Sequence, residues 1–265
     1  MAAAEGTTLC DIQAKRWQSV PVATVLNPVV MALAYSATAR AADPPVTWLA
    51  SYPRSGNTLL RAVLKHCFGL SSQSIYHDAE FTDPELADTV GHEAVGDDPH
   101  GFVARAQQSG RQLYVKTHEL PPARHLPVIY VVRDGRSATV SHLHYLREVL
   151  GHQVTFSDVL AGRMGPLWSD HVRAWALEPR ANRLVVRYEK LAAADDESLR
   201  AISDFIGVPV SKPFDVSFAR LSALSPAFFR RGSDAANIAE MDGETRALFE
   251  RLHGETLRAL GYGAS

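Results

Sequence analysis

Residues 46–61 read Val46-Thr47-Trp48-Leu49-Ala50-Ser51-Tyr52-Pro53-Arg54-Ser55-Gly56-Asn57-Thr58-Leu59-Leu60-Arg61. Three kinds of local structure follow one another in this stretch. Val46, Trp48 and Leu49 favour a strand. Pro53, Ser55 and Gly56 force a turn. From Asn57 onward, Leu59, Leu60, Val63 and Leu64 recur at helical spacing. A strand, a tight loop and a helix start, in that order, aim backbone N–H groups and the positive end of a helix at one point, where an anion can sit. Gly56 lets the backbone approach without a side chain in the way. Arg54, Ser55, Asn57 and Thr58 add donors around the same point. The stretch predicts a phosphate-binding loop at the end of a first strand.

The loop departs from the Walker A pattern G-x-x-x-x-G-K-[ST]. Counting back from Gly56, Ser51 stands at the first glycine position, and Asn57 stands at the lysine position. The cation is Arg54, inside the loop. This form, Y-P-R-S-G-N-T, resembles the 5′-phosphosulfate loop of the sulfotransferases that use PAPS (3′-phosphoadenosine 5′-phosphosulfate). Arg54 replaces the commoner lysine of that family, and Leu59 a tryptophan that often follows the loop. A planar guanidinium keeps the charge but not the point geometry of an ammonium.

Outward from the loop, the chain has 265 residues, 46% hydrophobic and 21% charged, which suits one globular α/β domain with a sizeable core. A net charge of −2 gives no bulk attraction to nucleic acid, so anion binding has to come from local clusters. Two cysteines, Cys10 and Cys67, make neither a disulfide framework nor a metal site and fit a reducing compartment. Residues 1–45 differ from the rest and read as an N-terminal extension, poorly ordered and alanine-rich. Lys15 and Arg16 precede an apolar run from Val20 to Ala39, broken by Pro21, Asn27 and Pro28. That run imitates a signal peptide but is too interrupted for a membrane span. The expectation is a cytoplasmic protein, the alternative being anchoring or export through residues 15–40. The folded domain is placed at 46–265.

After the loop, the sequence predicts a helix from Asn57 to about Phe68. Residues 71–99 carry Asp78, Glu80, Asp83, Glu85, Asp88, Asp97 and Asp98 and read as loop and short helix facing the substrate. His77-Asp78 reads as a solvated pair. Arg111 to His118 reads as a second strand ending at Lys116-Thr117-His118. Ligands gather where parallel strands end at their carboxyl edge, and the alternation of Lys116 and His118 puts them on one face. The chain has 11 histidines, so position and not residue type singles out His118. Val128 to Val132 is a strongly apolar third strand that runs into Arg133-Asp134-Gly135-Arg136-Ser137 and a helix through about Leu150, which Asp134 or Ser137 can cap. Trp168, Val172 and Trp175 share one face of a helix from 168 to 177 and read as core. Arg183 to Arg187 is a fourth strand, ending in Tyr188-Glu189-Lys190-Leu191. Ser198 to Ile206 is a helix closed by Gly207. Phe228-Phe229-Arg230-Arg231-Gly232 joins an aromatic pair to two arginines, a combination able to stack a base and grip a phosphate. A last helix runs from Gly243 to Leu260.

Four of these later segments also resemble the sulfotransferase family, in family order. K-T-H with a nearby Leu-Pro resembles the segment of its catalytic histidine, here with Glu119 before the Leu-Pro. Y-V-V-R-D-G-R-S-A-T-V-S resembles the 3′-phosphate segment. Tyr188-Glu189-Lys190-Leu191 resembles Y-E-D-L, with Lys190 in place of the aspartate. The late R-R-G resembles R-K-G, without the tryptophan that usually follows. The resemblance spans residues 46–262. It implies a three-layer α/β fold, with a mostly parallel central sheet flanked by helices. It also implies sulfuryl transfer from PAPS to a hydroxyl or amino group, leaving 3′,5′-ADP. In that scheme His118 is general base, and Arg54 and Lys116 meet the bridging oxygen and sulfonate. Ser55, Gly56, Asn57 and Thr58 hold the 5′-phosphate. Arg133, Ser141, Arg230, Arg231 and Gly232 hold the 3′-phosphate, with Tyr188 and Phe228 near adenine. No metal is required, because a sulfuryl group carries less charge than a phosphoryl group. The acceptor is a small molecule or glycan with a hydroxyl group. Neither nucleic acid nor membrane is an expected partner, and a homodimer is compatible with the chain. Two other readings stay open: a P-loop phosphotransferase or kinase, and a non-catalytic module binding PAPS or 3′,5′-ADP.

Overall fold

A computed structural model describes residues 45–263, apart from 75, 77, 96–97, 122–125, 227–228 and 230–232. The N-terminal extension, His77, and the site residues Phe228, Arg230, Arg231 and Gly232 therefore lie outside the described residues. Strand β1 (Val46–Ser51) is buried along its whole length. Val46, Trp48 and Ala50 enter one apolar cluster, and Leu49 enters another on the opposite face. A strand covered on both faces reads as a nearly unbroken apolar run, as β1 does. It leads through the loop to helix α1 (Asn57–Phe68), which packs Leu60, Val63, Leu64, Cys67 and Phe68 on the Leu49 side.

The expected loop-and-helix segment 71–99 contains more than that. It forms β2 (Ser72–Ser74), a 3₁₀ turn (Ala79–Thr82), α2 (Pro84–Val90), β3 (His92–Glu93) and the start of α3 (Pro99–Ser109). Ser72-Gln73-Ser74 is too short and too polar for an alternation signal. It becomes a strand because Gln73 pairs with Val115 and Ser74 with Lys116 of β4 (Leu113–Thr117). The next elements are β5 (Val128–Val132) and α4 (Gly135–His144), which Asp134 caps and a π-helical turn (Tyr145–Val149) extends. Then come α5 (Phe156–Leu160) and α6 (Trp168–Val172), the latter extended by a π-helical turn (Arg173–Leu177). The chain continues with β6 (Arg183–Arg187), α7 (Tyr188–Ala192), α8 (Asp196–Ile206), α9 (Phe218–Leu224), α10 (Asp234–Ile238) and α11 (Gly243–Ala259). Tyr188 thus opens a helix.

The six strands form one sheet, in the order β3-β2-β4-β1-β5-β6, and all described pairings are parallel. Trp168, Val172, Trp175, Phe249 and Leu257 cover one face, while α1 and α8 cover the other. This is the expected three-layer α/β fold. Register places Ala50 opposite Thr117 and Ser51 opposite Val131. The carboxyl ends of β4, β1 and β5 therefore emerge side by side, at the edge where such sheets bind ligands.

Candidate active site

The loop between β1 and α1 is held from inside. Arg54 adopts φ 64° and Gly56 φ 103°. A Cβ on Gly56 would lie 2.5 Å from Cδ2 of Tyr188, so both the backbone angle and the close ring require glycine. Nδ2 of Asn57 donates to the Leu49 carbonyl at 2.7 Å. The Asn57 amide thus braces the loop against β1 and leaves its backbone N–H to face an anion. Helix α1 has no acidic residue in its first turn and no side-chain cap. The Ser55 hydroxyl is buried without a hydrogen-bond partner. An uncapped helix start, an unpartnered hydroxyl and a glycine cradle fit a bound phosphate.

His118 follows the end of β4. Its Nδ1 lies 2.7 Å from the Ser51 carbonyl. A carbonyl only accepts, so Nδ1 carries the proton and Nε2 holds the lone pair. Burial, then the nearby Lys116 charge, push the imidazole pKa well below its ordinary value, although the Ser51 bond opposes the shift. His118 is therefore neutral at neutral pH. Tyr76 stacks on it at 5.6 Å between centroids, and its hydroxyl accepts from the His118 backbone N–H at 2.7 Å.

Lys116 donates to Asp78 Oδ1 at 2.8 Å, with side-chain exposures of 6% and 5%. The expected solvated His77-Asp78 pair is thus corrected at Asp78, which is buried because two cations hold it. The second is Arg61, fully buried, whose Nη1 lies 3.5 Å from Asp78. Burial alone raises the Asp78 carboxyl, but Lys116 and Arg61 outweigh it and hold the pKa below the ordinary value.

On the β5 side, Arg133 donates from Nε to Asp234 at 2.7 Å and from Nη1 to the Arg54 carbonyl at 3.0 Å. Its guanidinium lies 4.1 Å from the Tyr188 ring centre. Asp234 also accepts from Ser137 at 2.5 Å. Arg54 Nε reaches Ser141 Oγ at 3.5 Å, and its guanidinium lies 5.1 Å from the Tyr145 ring centre.

One cavity of about 520 Å³ joins these groups. Arg54, Gly56, Asn57, Thr58, Lys116, His118, Arg133, Ser141 and Tyr188, all singled out in the sequence, lie in its wall. Ser55 is buried and is not part of the lining. Leu146, Leu150, Met164 and Pro166 give part of it an apolar surface. The sequence did not single out Tyr76, Asp78, Arg61, Ser137 or Asp234 as site residues. Arg61 carried a readable signal, because it shares the buried face of α1 with Leu64 and Phe68, where a charge needs a partner.

The sulfotransferase domain pattern matches residues 44–224, and the chain belongs to the sulfotransferase family. A WSCD family member of Drosophila melanogaster is 30% identical over 185 residues, covering 64% of this chain and 52% of that protein. Flavonol 3-sulfotransferase of Flaveria bidentis is 26% identical over 188 residues, covering 63% and 58%. The chain spans about half the length of the curated relatives it matches. Among solved structures, mouse sulfotransferase SULT7A1 complexed with PAP superposes with a TM-score of 0.61 at 20% identity, covering 85% of this chain and 89% of that one. Retinol dehydratase in a complex with retinol and PAP gives 0.55 at 19% identity, covering 81% and 82%. Both share the fold. No helix among the described residues is long and apolar enough to cross a membrane.

Proposed function

We propose that this protein transfers a sulfuryl group from PAPS to a hydroxyl-bearing acceptor. The observation that carries the reading is the single cavity into which the loop at 53–58, Lys116 with His118, and Arg133 with Ser141 all open. The relatives named as sulfotransferases and the PAP in the two similar structures support it. PAPS supplies the activated sulfuryl group. Ser55, Gly56, Asn57 and Thr58 bind its 5′-phosphate through the loop and helix start. Arg133 and Ser141 hold the 3′-phosphate, joined by Arg230, Arg231 and Gly232 outside the described residues. Tyr188 stands against adenine; Phe228, assigned there from the sequence, lies outside the described residues.

His118 takes the acceptor's proton at Nε2. Its Nδ1–H stays on the Ser51 carbonyl, which orients the ring and stabilises the imidazolium that forms. Lys116 and Arg54 place positive charge where the leaving oxygen becomes anionic, the usual form of electrostatic catalysis. The apolar wall suits an acceptor with an apolar body, and a glycan remains the polar alternative.

Purified protein is given labelled PAPS and a panel of hydroxylated and amino acceptors, with mass detection of the added sulfonate. A sulfonated product is the expected result. Phosphoryl transfer from ATP with magnesium would replace this reading with a kinase. PAP binding without turnover across the panel would replace it with a binding module.

A further inference from the structure

Asp78 lines the cavity, yet its carboxylate is committed to cations. Oδ1 accepts from Lys116 at 2.8 Å, and Oδ2 faces Arg61 at 3.5 Å. Behind them, Arg61 donates Nε to Ser72 at 2.8 Å and Nη2 to His92 Nδ1 at 2.7 Å. The last bond needs a lone pair on Nδ1, so His92 is neutral and Arg61 is not neutralised from that side. Lys116 also lies 5.4 Å from the Tyr76 ring centre, which limits where its ammonium can go.

The charge count explains the arrangement. One carboxylate facing one lysine would fix the lysine and cancel its charge together. One carboxylate shared between two buried cations fixes both, and Asp78, Lys116 and Arg61 taken together sum to one positive charge. Arg61 also stands one turn beyond Asn57 on α1, the helix whose start faces the loop. We infer that Asp78, backed by Arg61, is a positioning residue for Lys116, holding its ammonium against the oxygen that leaves sulfur and tying that position to the phosphosulfate loop. The inference rests on the sulfotransferase reading above. In the step it serves, the S–O bond to the 5′-phosphate breaks, and its electron pair stays on the phosphate oxygen beside Lys116. A new S–O bond forms to the acceptor, whose proton goes to His118.

The test follows PAP release from PAPS, with 2-naphthol and with water as acceptors, alongside calorimetric binding of PAP. Asp78→Asn is expected to slow release roughly 10- to 100-fold, with PAP affinity within about twofold of the parent, as for an interaction made only in the transition state. In a Lys116→Ala background, Asp78→Asn should cost almost nothing more. Asp78→Asn alone leaves Arg61 buried without its carboxylate, so the pair Arg61→Met/Asp78→Asn, which removes both charges, guards against loss of fold. It should show the same kinetic loss with an unchanged circular dichroism spectrum. Undiminished release by Asp78→Asn overturns the inference. So does an equal loss in the Lys116→Ala background, or a fall in PAP affinity in step with the rate. A parent protein that binds PAP but releases none from PAPS strikes the transferase reading itself, and the role of Asp78 with it.

Discussion

A carboxylate with buried cations stands on each side of β1, and the two sides are built differently. On the β4 side, Lys116 and Asp78 are 6% and 5% exposed, with Arg61 sealed behind them. On the β5 side, Arg133 is 6% exposed but Asp234 is 23% exposed and sits at the start of the short helix α10. The β4 side is a closed charge cluster, in which removing one member strands another in a low dielectric. The β5 carboxylate keeps contact with water, so another anion can compete for Arg133 at a smaller desolvation cost. In the proposed reaction, one side holds a fixed charge at the reacting atoms and the other holds an anion that comes and goes.

The sharpest way to break that contrast is at His118. His118→Ala should lower turnover about 10²- to 10⁴-fold, the usual value of a general base, while calorimetry finds PAP affinity nearly unchanged. Turnover equal to the parent would take His118 out of the mechanism. Next comes Arg133→Ala. Charge-assisted hydrogen bonds are worth roughly 1.5–3 kcal/mol, so PAP affinity should fall about 10- to 100-fold and AMP affinity far less. Equal losses for the two nucleotides would leave Arg133 only a strut between Arg54 and Asp234.

Gly56→Ala tests the loop between the two sides. Its Cβ would meet Tyr188, and its φ of 103° is strained for any side chain. Urea unfolding should show a loss of about 1–3 kcal/mol. Adding Tyr188→Ala should restore the part due to the ring contact; no recovery would leave the backbone angle as the whole cause. The last test is in pH. Burial lowers His142, hydrogen-bonded to Tyr52, to about 4, and His171, beside Tyr130, to about 3. Unfolded histidine titrates near ~6.5. Between those values the unfolded chain binds more protons than the native one, so stability rises with pH. It is fully present above about pH 6.5 and is lost on acidification down to about pH 4 for His142 and about pH 3 for His171. Melting curves at pH 7.5 and 5 should show a lower Tm in acid; an unchanged Tm would mean that the two imidazoles protonate without cost.

The legibility of the site followed chain distance. The β1 loop, Lys116 to His118, and Arg133 with Ser141 each sit at or follow an apolar strand's end, so local pattern was enough to single them out as candidates that the fold then sets around one cavity. Asp78 read as solvated because a carboxylate's neighbours in sequence say nothing of Lys116, 38 residues away. Ser72–Ser74 carried no strand signal, since its pairing partners belong to β3 and β4, well separated from it along the chain. Ser137 and Asp234 are 97 residues apart and meet only when α10 folds over α4.

The sequence by itself determined the succession of strands and helices, the strand–turn–helix at 46–61 and the order of the cationic strand ends, because periodicity, turn chemistry and strand termini are properties of neighbouring residues; the three-layer arrangement followed from the resemblance to the sulfotransferase family. The tertiary structure decided which acid restrains which cation, which nitrogen of His118 keeps its lone pair, and which wall of the cavity is apolar. Those depend on burial and on distances between remote segments, and a Coulomb interaction is set by separation in space and by the surrounding dielectric.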